Sequence, residues 1–151
     1  PLSLSMSANR AMAVLSGLWA GILLAIGLIG APAGFATLAV ASDAGRVAGR
    51  MFAQEAYLGL GAAIVLFLLA RSRARRAAEA GQGSALNANM LLLLGALFCT
   101  VAGYFALQPM MAAARAGQGP WSFGALHGVS AAFFGLKALL VLTLAWRLAP
   151  R

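Results

Sequence analysis

Charge is what this sequence has least of. Only 9% of its 151 residues are Asp, Glu, Lys or Arg, against about a quarter in soluble globular domains, which leaves too little polarity to clothe an ordinary water-facing surface. Acid is the scarcer sign, with three carboxylates (Asp43, Glu55, Glu79) against eleven basic residues. The single cysteine, Cys99, excludes an internal disulfide and any multi-cysteine metal motif. A lone thiol in an apolar run is expected to be buried and inert. The single histidine, His127, excludes bis-histidine haem ligation within one chain. Walker A, G-x-S-x-G, H-E-x-x-H and C-x-x-C motifs are all missing, and no run alternates like a strand.

What the sequence has is length without charge. Uncharged stretches cover 11–42, 56–70, 80–114 and 116–136, and about 20 apolar residues suffice to cross a hydrocarbon core of about 30 Å. The predicted fold is therefore an all-α integral membrane protein, one domain of four transmembrane helices in an up-and-down bundle, with spans near 11–31, 51–70, 86–107 and 123–146. The first span has no A-x-A site at a suitable place and is expected to be retained. Pro32, within "GAPAGF", is expected to kink or end it. Ser42 is the expected cap of the second span, with Asp43 in its first turn.

Ten of the eleven basic residues are arginines at span ends and in loops, a distribution that orients a protein in a bilayer rather than one that binds nucleic acid. Arg10, Arg71, Arg73, Arg75, Arg76, Arg147 and Arg151 fall on one side, and Arg46, Arg50 and Arg115 on the other. The positive-inside rule then places both termini and the arginine loop in the cytoplasm, with connections 32–50 and 108–122 outside. Trp121 and Trp146 mark opposite ends of the fourth span, as interfacial anchors do. Arg71, Arg73, Arg75 and Arg76 are candidates for anionic lipid or an acidic partner.

Three ionisable groups fall inside the spans: Glu55, His127 and Lys137. Such groups are costly in lipid and face a bundle interior or a cavity. With the second helix starting near Met51, Glu55 and His127 both lie about 5 to 6 Å beneath the outer boundary. A Glu55–His127 hydrogen bond is then expected, with Tyr104 and Gln108 at the same level in an outer polar cluster. Lys137 lies about 15 Å deeper than His127, at the level of Thr100, too far below Glu55 for a direct pair. Its expected alternatives are water, a hydroxyl or neutrality. The six methionines are divided between the two sides, without an M-x-x-x-M array, so apolar filling explains them before copper does. Gly17 and Gly21, Gly45 and Gly49, and Gly124 and Gly128 are each four apart, a spacing that permits close helix approach.

"GLWAG" at 17–21, "APAGF" at 31–35, "AGRVAGRMF" at 44–52 and "FGALHGVS" at 123–130, in this order, resemble the transmembrane protein 205-like family, also called domain of unknown function 4149. That family is more distantly similar to the CopD-like membrane superfamily of copper-resistance proteins and a haem-pathway protoporphyrinogen oxidase. The resemblance implies a four-helix membrane fold and makes copper or haem chemistry worth testing, without transferring a site. It carries over His127, Gly128 and Ser130 without a chemical role. Phe134 stands where family members often have asparagine. The expected function is a non-catalytic accessory or assembly partner of a larger complex in a bacterial inner membrane, in contact with lipid and open to self-association. The alternatives are copper or haem handling at His127, and an oligomeric permeation or proton-coupled pathway through Glu55, His127 and Lys137.

Overall fold

The structure, a computed structural model, describes residues 2–149, with side chains from Ser7 onward. Helix α1 runs Leu2–Ala25, passes through a π-helical turn at Ile26–Gly30 and continues as Ala31–Thr37. Helix α2 is one continuous rod, Ala41–Glu79. Helix α3 runs Ala88–Thr100, through a second π-helical turn at Val101–Ala106, and on as Leu107–Arg115. Helix α4 is Phe123–Leu148. There are no strands among the described residues, and all four helices are long and apolar enough to cross a membrane.

Three expected loops are partly helix instead, the one over 108–122 shrinking to 116–122 because α3 continues to Arg115. The connection anticipated over 32–50 shrinks to 38–40, because α2 begins ten residues before the expected span. Asp43 occupies its first turn, where a carboxylate complements the helix dipole, and accepts a 2.7 Å hydrogen bond from Arg46. Val40 rather than Ser42 is the cap residue. The arginine segment 71–76 is likewise helical, and α2 ends only at Glu79 before the turn over 80–87. Side-chain caps do hold the other two starts: Asn87 accepts from the Met90 amide and Ser122 from the Ala125 amide, both at 3.1 Å.

Prolines account for the positions of both π turns. Pro32 lies two residues past the first turn and Pro109 three past the second. A proline lacks the amide hydrogen and presses its ring on the carbonyl four residues earlier; a locally widened helix absorbs this and continues. Pro32 thus distorts α1 without ending it.

Sequential helices pack as antiparallel neighbours, and α4 closes the ring against α1. The end holding the 80–87 turn and the residues next to both termini is called basal here, the other distal. Adjacent residues of α4 wedge the two π turns: Phe134 against Gly27, and Phe133 against Gly103. A Cβ added at Gly103 would overlap that of Phe133, and one at Gly27 would fall 3.0 Å from the Phe134 ring. Ser130, one turn before Phe134, donates a 2.8 Å hydrogen bond to the Gly103 carbonyl inside the π turn. Ser130 therefore clamps α4 to α3.

The hairpins α1–α2 and α3–α4 repeat one design. Glu55 stands 14 positions after Ala41, as Lys137 does after Phe123. At this offset Ala44 and Leu126, Gly59 and Val141, and Ala62 and Leu144 are also buried in both helices. Phe52 and Phe134, again equivalent, meet edge to face at 4.9 Å between centroids. The diagonal helices α2 and α4 thus touch through equivalent side chains.

Gly103→Ala should lower stability by about 1–3 kcal/mol through overpacking. Gly17→Ala, where an added Cβ meets nothing within 4 Å, should stay within about 0.5 kcal/mol. Thermal unfolding of the detergent-purified protein measures both.

Candidate functional site

The centre of the bundle holds an ion pair. Lys137 Nζ donates to Glu55 Oε2 at 2.6 Å, and the Trp19 indole N–H donates to Glu55 Oε1 at 3.1 Å. The two charged side chains are 3% and 1% exposed, so water does not share the work of solvating them. Three helices contribute: α1 through Trp19, α2 through Glu55 and α4 through Lys137. The ammonium also stands 5.4 Å from the centroid of the Phe134 ring, whose π cloud favours a cation.

Local sequence makes this possible. Gly59, one turn after Glu55, leaves the space that the indole and carboxylate occupy; a Cβ there would come within 2.9 Å of Glu55 Oε1 and 3.3 Å of Trp19 Nε1. The neighbouring buried hydroxyls need nothing from the site, since Ser16 donates to the Met12 carbonyl and Thr100 to that of Ala96. Among the described residues, no buried side-chain nitrogen or oxygen lacks a partner. The pair lies where two apolar clusters meet. A larger basal one includes Trp19, Leu66, Leu93 and Val141, and a smaller distal one is built on Leu107, Met111 and Leu126.

This centre replaces the expected outer cluster. Glu55 has Lys137 and Trp19 as its partners and makes no bond to His127, and the Glu55–Lys137 contact expected to be out of reach is direct. The physical reason is the start of α2. Ten additional helical residues carry Glu55 about 15 Å further along its helix, down to the level of Lys137. His127 stays near the start of α4, exposed, stacked on Phe123 at 5.7 Å. Arg115 covers the same Phe123 ring at 4.5 Å. Tyr104 and Gln108 are half-buried on α3, with the Tyr104 ring edge-on to Phe105.

The structure does not assemble the expected oriented histidine ligand. His127 is exposed and stacked on Phe123, and the carboxylate meant to orient it is committed elsewhere. Among the described residues, no three His, Cys, Asp or Glu side chains converge. The four arginines of the 71–76 segment also divide. Arg71, Arg75 and Arg76 share one face with Glu79, which lies 4.0 Å from Arg75, while Arg73 turns toward the basal end of the bundle. The sequence reading missed Trp19. Its signal was an indole inside an apolar span, where the N–H needs an acceptor.

An all-helical protein with four span-length helices and a charged centre matches a known family over most of its length. Residues 14–119 match the family described as Domain of unknown function (DUF4149), and the chain belongs to it. The matched segment contains Trp19 and Glu55 and stops before α4, so His127 and Lys137 lie outside it. Comparison with curated proteins gave no match, and comparison with solved structures gave none.

Lys137→Met leaves Glu55 buried without its counter-ion and should cost about 3–5 kcal/mol. The double variant Glu55→Met/Lys137→Met should recover most of that loss, because an apolar pair carries no desolvation penalty. A double-mutant cycle on unfolding midpoints checks the coupling.

Proposed function

We propose that the chain is a single four-helix domain of a bacterial inner membrane, acting without chemistry of its own as an accessory or assembly partner in a larger membrane complex. The exterior supports insertion: Leu28 is 73% exposed and Trp146 83%, as lipid-facing side chains would be. The arginine asymmetry supports cytoplasmic termini, with the basal end inside. Resemblance to the transmembrane protein 205-like and CopD-like groups is kept as a kinship of helical architecture.

The observation that carries the accessory role is where the glycines point. Those needed inside the bundle are Gly27, Gly30, Gly59, Gly95 and Gly103, each in close contact with a neighbouring side chain. Three pairs spaced four apart behave differently: Gly17 and Gly21, Gly45 and Gly49, and Gly124 and Gly128 have open space around an added Cβ. Small residues at this spacing let a second helix approach closely, and here the bundle leaves them unused. A proton-coupled path is less well supported, since both oxygens of Glu55 are occupied and Lys137 is sealed beside it.

In native membranes, a stoichiometric partner or second copy should cross-link to the wild-type protein. Gly124→Ile/Gly128→Ile should reduce that product about tenfold or more while leaving the unfolding midpoint in place, because a Cβ added at either position meets nothing within 4 Å. An undiminished product from the variant, or monomer alone from the wild type, rejects the α4 face as the contact.

A further inference from the structure

The three carboxylate side chains of this sequence are all accounted for. Asp43 pairs with Arg46, Glu79 lies beside Arg75, and Glu55 belongs to Lys137. At the basal end, Arg10 of α1, Arg73 of α2 and Arg147 of α4 converge on one cleft of about 590 Å³, between the helix ends and the 80–87 turn. No carboxylate lines it among the described residues. Three arginines from three helices thus line a space with no side-chain counter-ion among the described residues.

The rest of the lining suits an anion. Asn89 accepts the Arg147 Nε–H at 2.8 Å, which orients that guanidinium and leaves its terminal nitrogens as donors. Asn87, the cap of α3, also lines the cleft, so the positive end of that helix dipole adds to the potential there. The floor is apolar, with Met12 buried beneath the arginines. The volume lies in the range of small-molecule sites, and forked guanidinium donors match the oxygens of a phosphate group.

We infer that this basal cleft binds a phosphate-bearing anion, held by Arg10, Arg73 and Arg147. Its phosphate comes either from a phospholipid headgroup whose glyceryl part rests on the apolar floor, or from a soluble phosphate compound. The site is independent of the accessory role, which uses the outward helix faces.

The test uses the full chain in a neutral detergent. Inorganic phosphate is titrated by equilibrium dialysis, and short-chain phosphatidylglycerol is compared with phosphatidylcholine of the same chain length by native mass spectrometry. Arg10→Gln/Arg73→Gln/Arg147→Gln should weaken the bound probe by about tenfold or more, the scale of lost charge-assisted hydrogen bonds. Arg71→Gln/Arg75→Gln/Arg76→Gln removes the same charge from the outer face of α2 and should leave binding within about twofold, a difference that screened, distant charges produce. Phosphate binding marks a soluble ligand, and binding of phosphatidylglycerol alone marks a headgroup. Arginine modification by phenylglyoxal supplies a check on the unmodified sequence: the bound probe should protect Arg10, Arg73 and Arg147 and leave Arg71 and Arg76 reactive. Failure of every probe to bind, equal loss in both triple variants, or absence of selective protection overturns the inference.

Discussion

Two opposite charges enclosed by apolar helices impose a constraint that the rest of this bundle obeys. Removing each ion from water costs several kcal/mol, which the other returns only at short range and with its remaining valences satisfied. Glu55 and Lys137 meet that condition at 2.6 Å, with the Trp19 indole on the second carboxylate oxygen. Because desolvation offsets much of the Coulomb gain, the main consequence of the pair is geometric. A rotation of α2 or α4 about its axis, or a slide by one turn, separates the charges and exposes the cost. Trp19 extends the restriction to α1, and Gly59 keeps open the volume in which all three side chains meet.

The phenylalanines of α4 apply a second restriction at nearly the same level. Phe133 and Phe134 are consecutive, so their side chains diverge by about 100° around the helix and reach the two helices flanking α4. Each lands on a glycine within a π turn, and each π turn exists because a proline follows it. Proline, widened turn, glycine and aromatic ring therefore form one device, used on both sides of α4. Ser130 adds a hydrogen bond to one copy of it. Part of "FGALHGVS" is explained by this packing rather than by ligand chemistry.

Much of this architecture is legible in the residues. Long uncharged runs require helices, short connections require antiparallel neighbours, and the scarcity of charge within the apolar helices singles out Glu55 and Lys137 as significant. Their partnership is not legible because the onset of α2 is concealed: Asp43, Arg46 and Arg50 look like loop polarity, yet they decorate helical turns beyond the apolar stretch. A ten-residue displacement of that onset is all that separates a Glu55–His127 level from the Glu55–Lys137 level. The role of Trp19 was hidden for another reason, since which face of α1 turns inward depends on packing against α2 and α4. Gly59 and Gly103 stand among 18 glycines, and only the approach of neighbouring side chains separates them from the outward-facing ones.

The equivalence of Glu55 and Lys137 in the two hairpins gives the chain a built-in test of completeness. Two copies of the α1–α2 hairpin, paired as the two halves are paired here, would bring carboxylate against carboxylate; two of α3–α4 would bring ammonium against ammonium. Only the mixed pairing neutralises the centre. During synthesis the acid emerges 82 residues before its base, so a product truncated within α3 retains an unmatched carboxylate among apolar side chains. Such a fragment carries its own mark of incompleteness, a charge that only the missing helix neutralises.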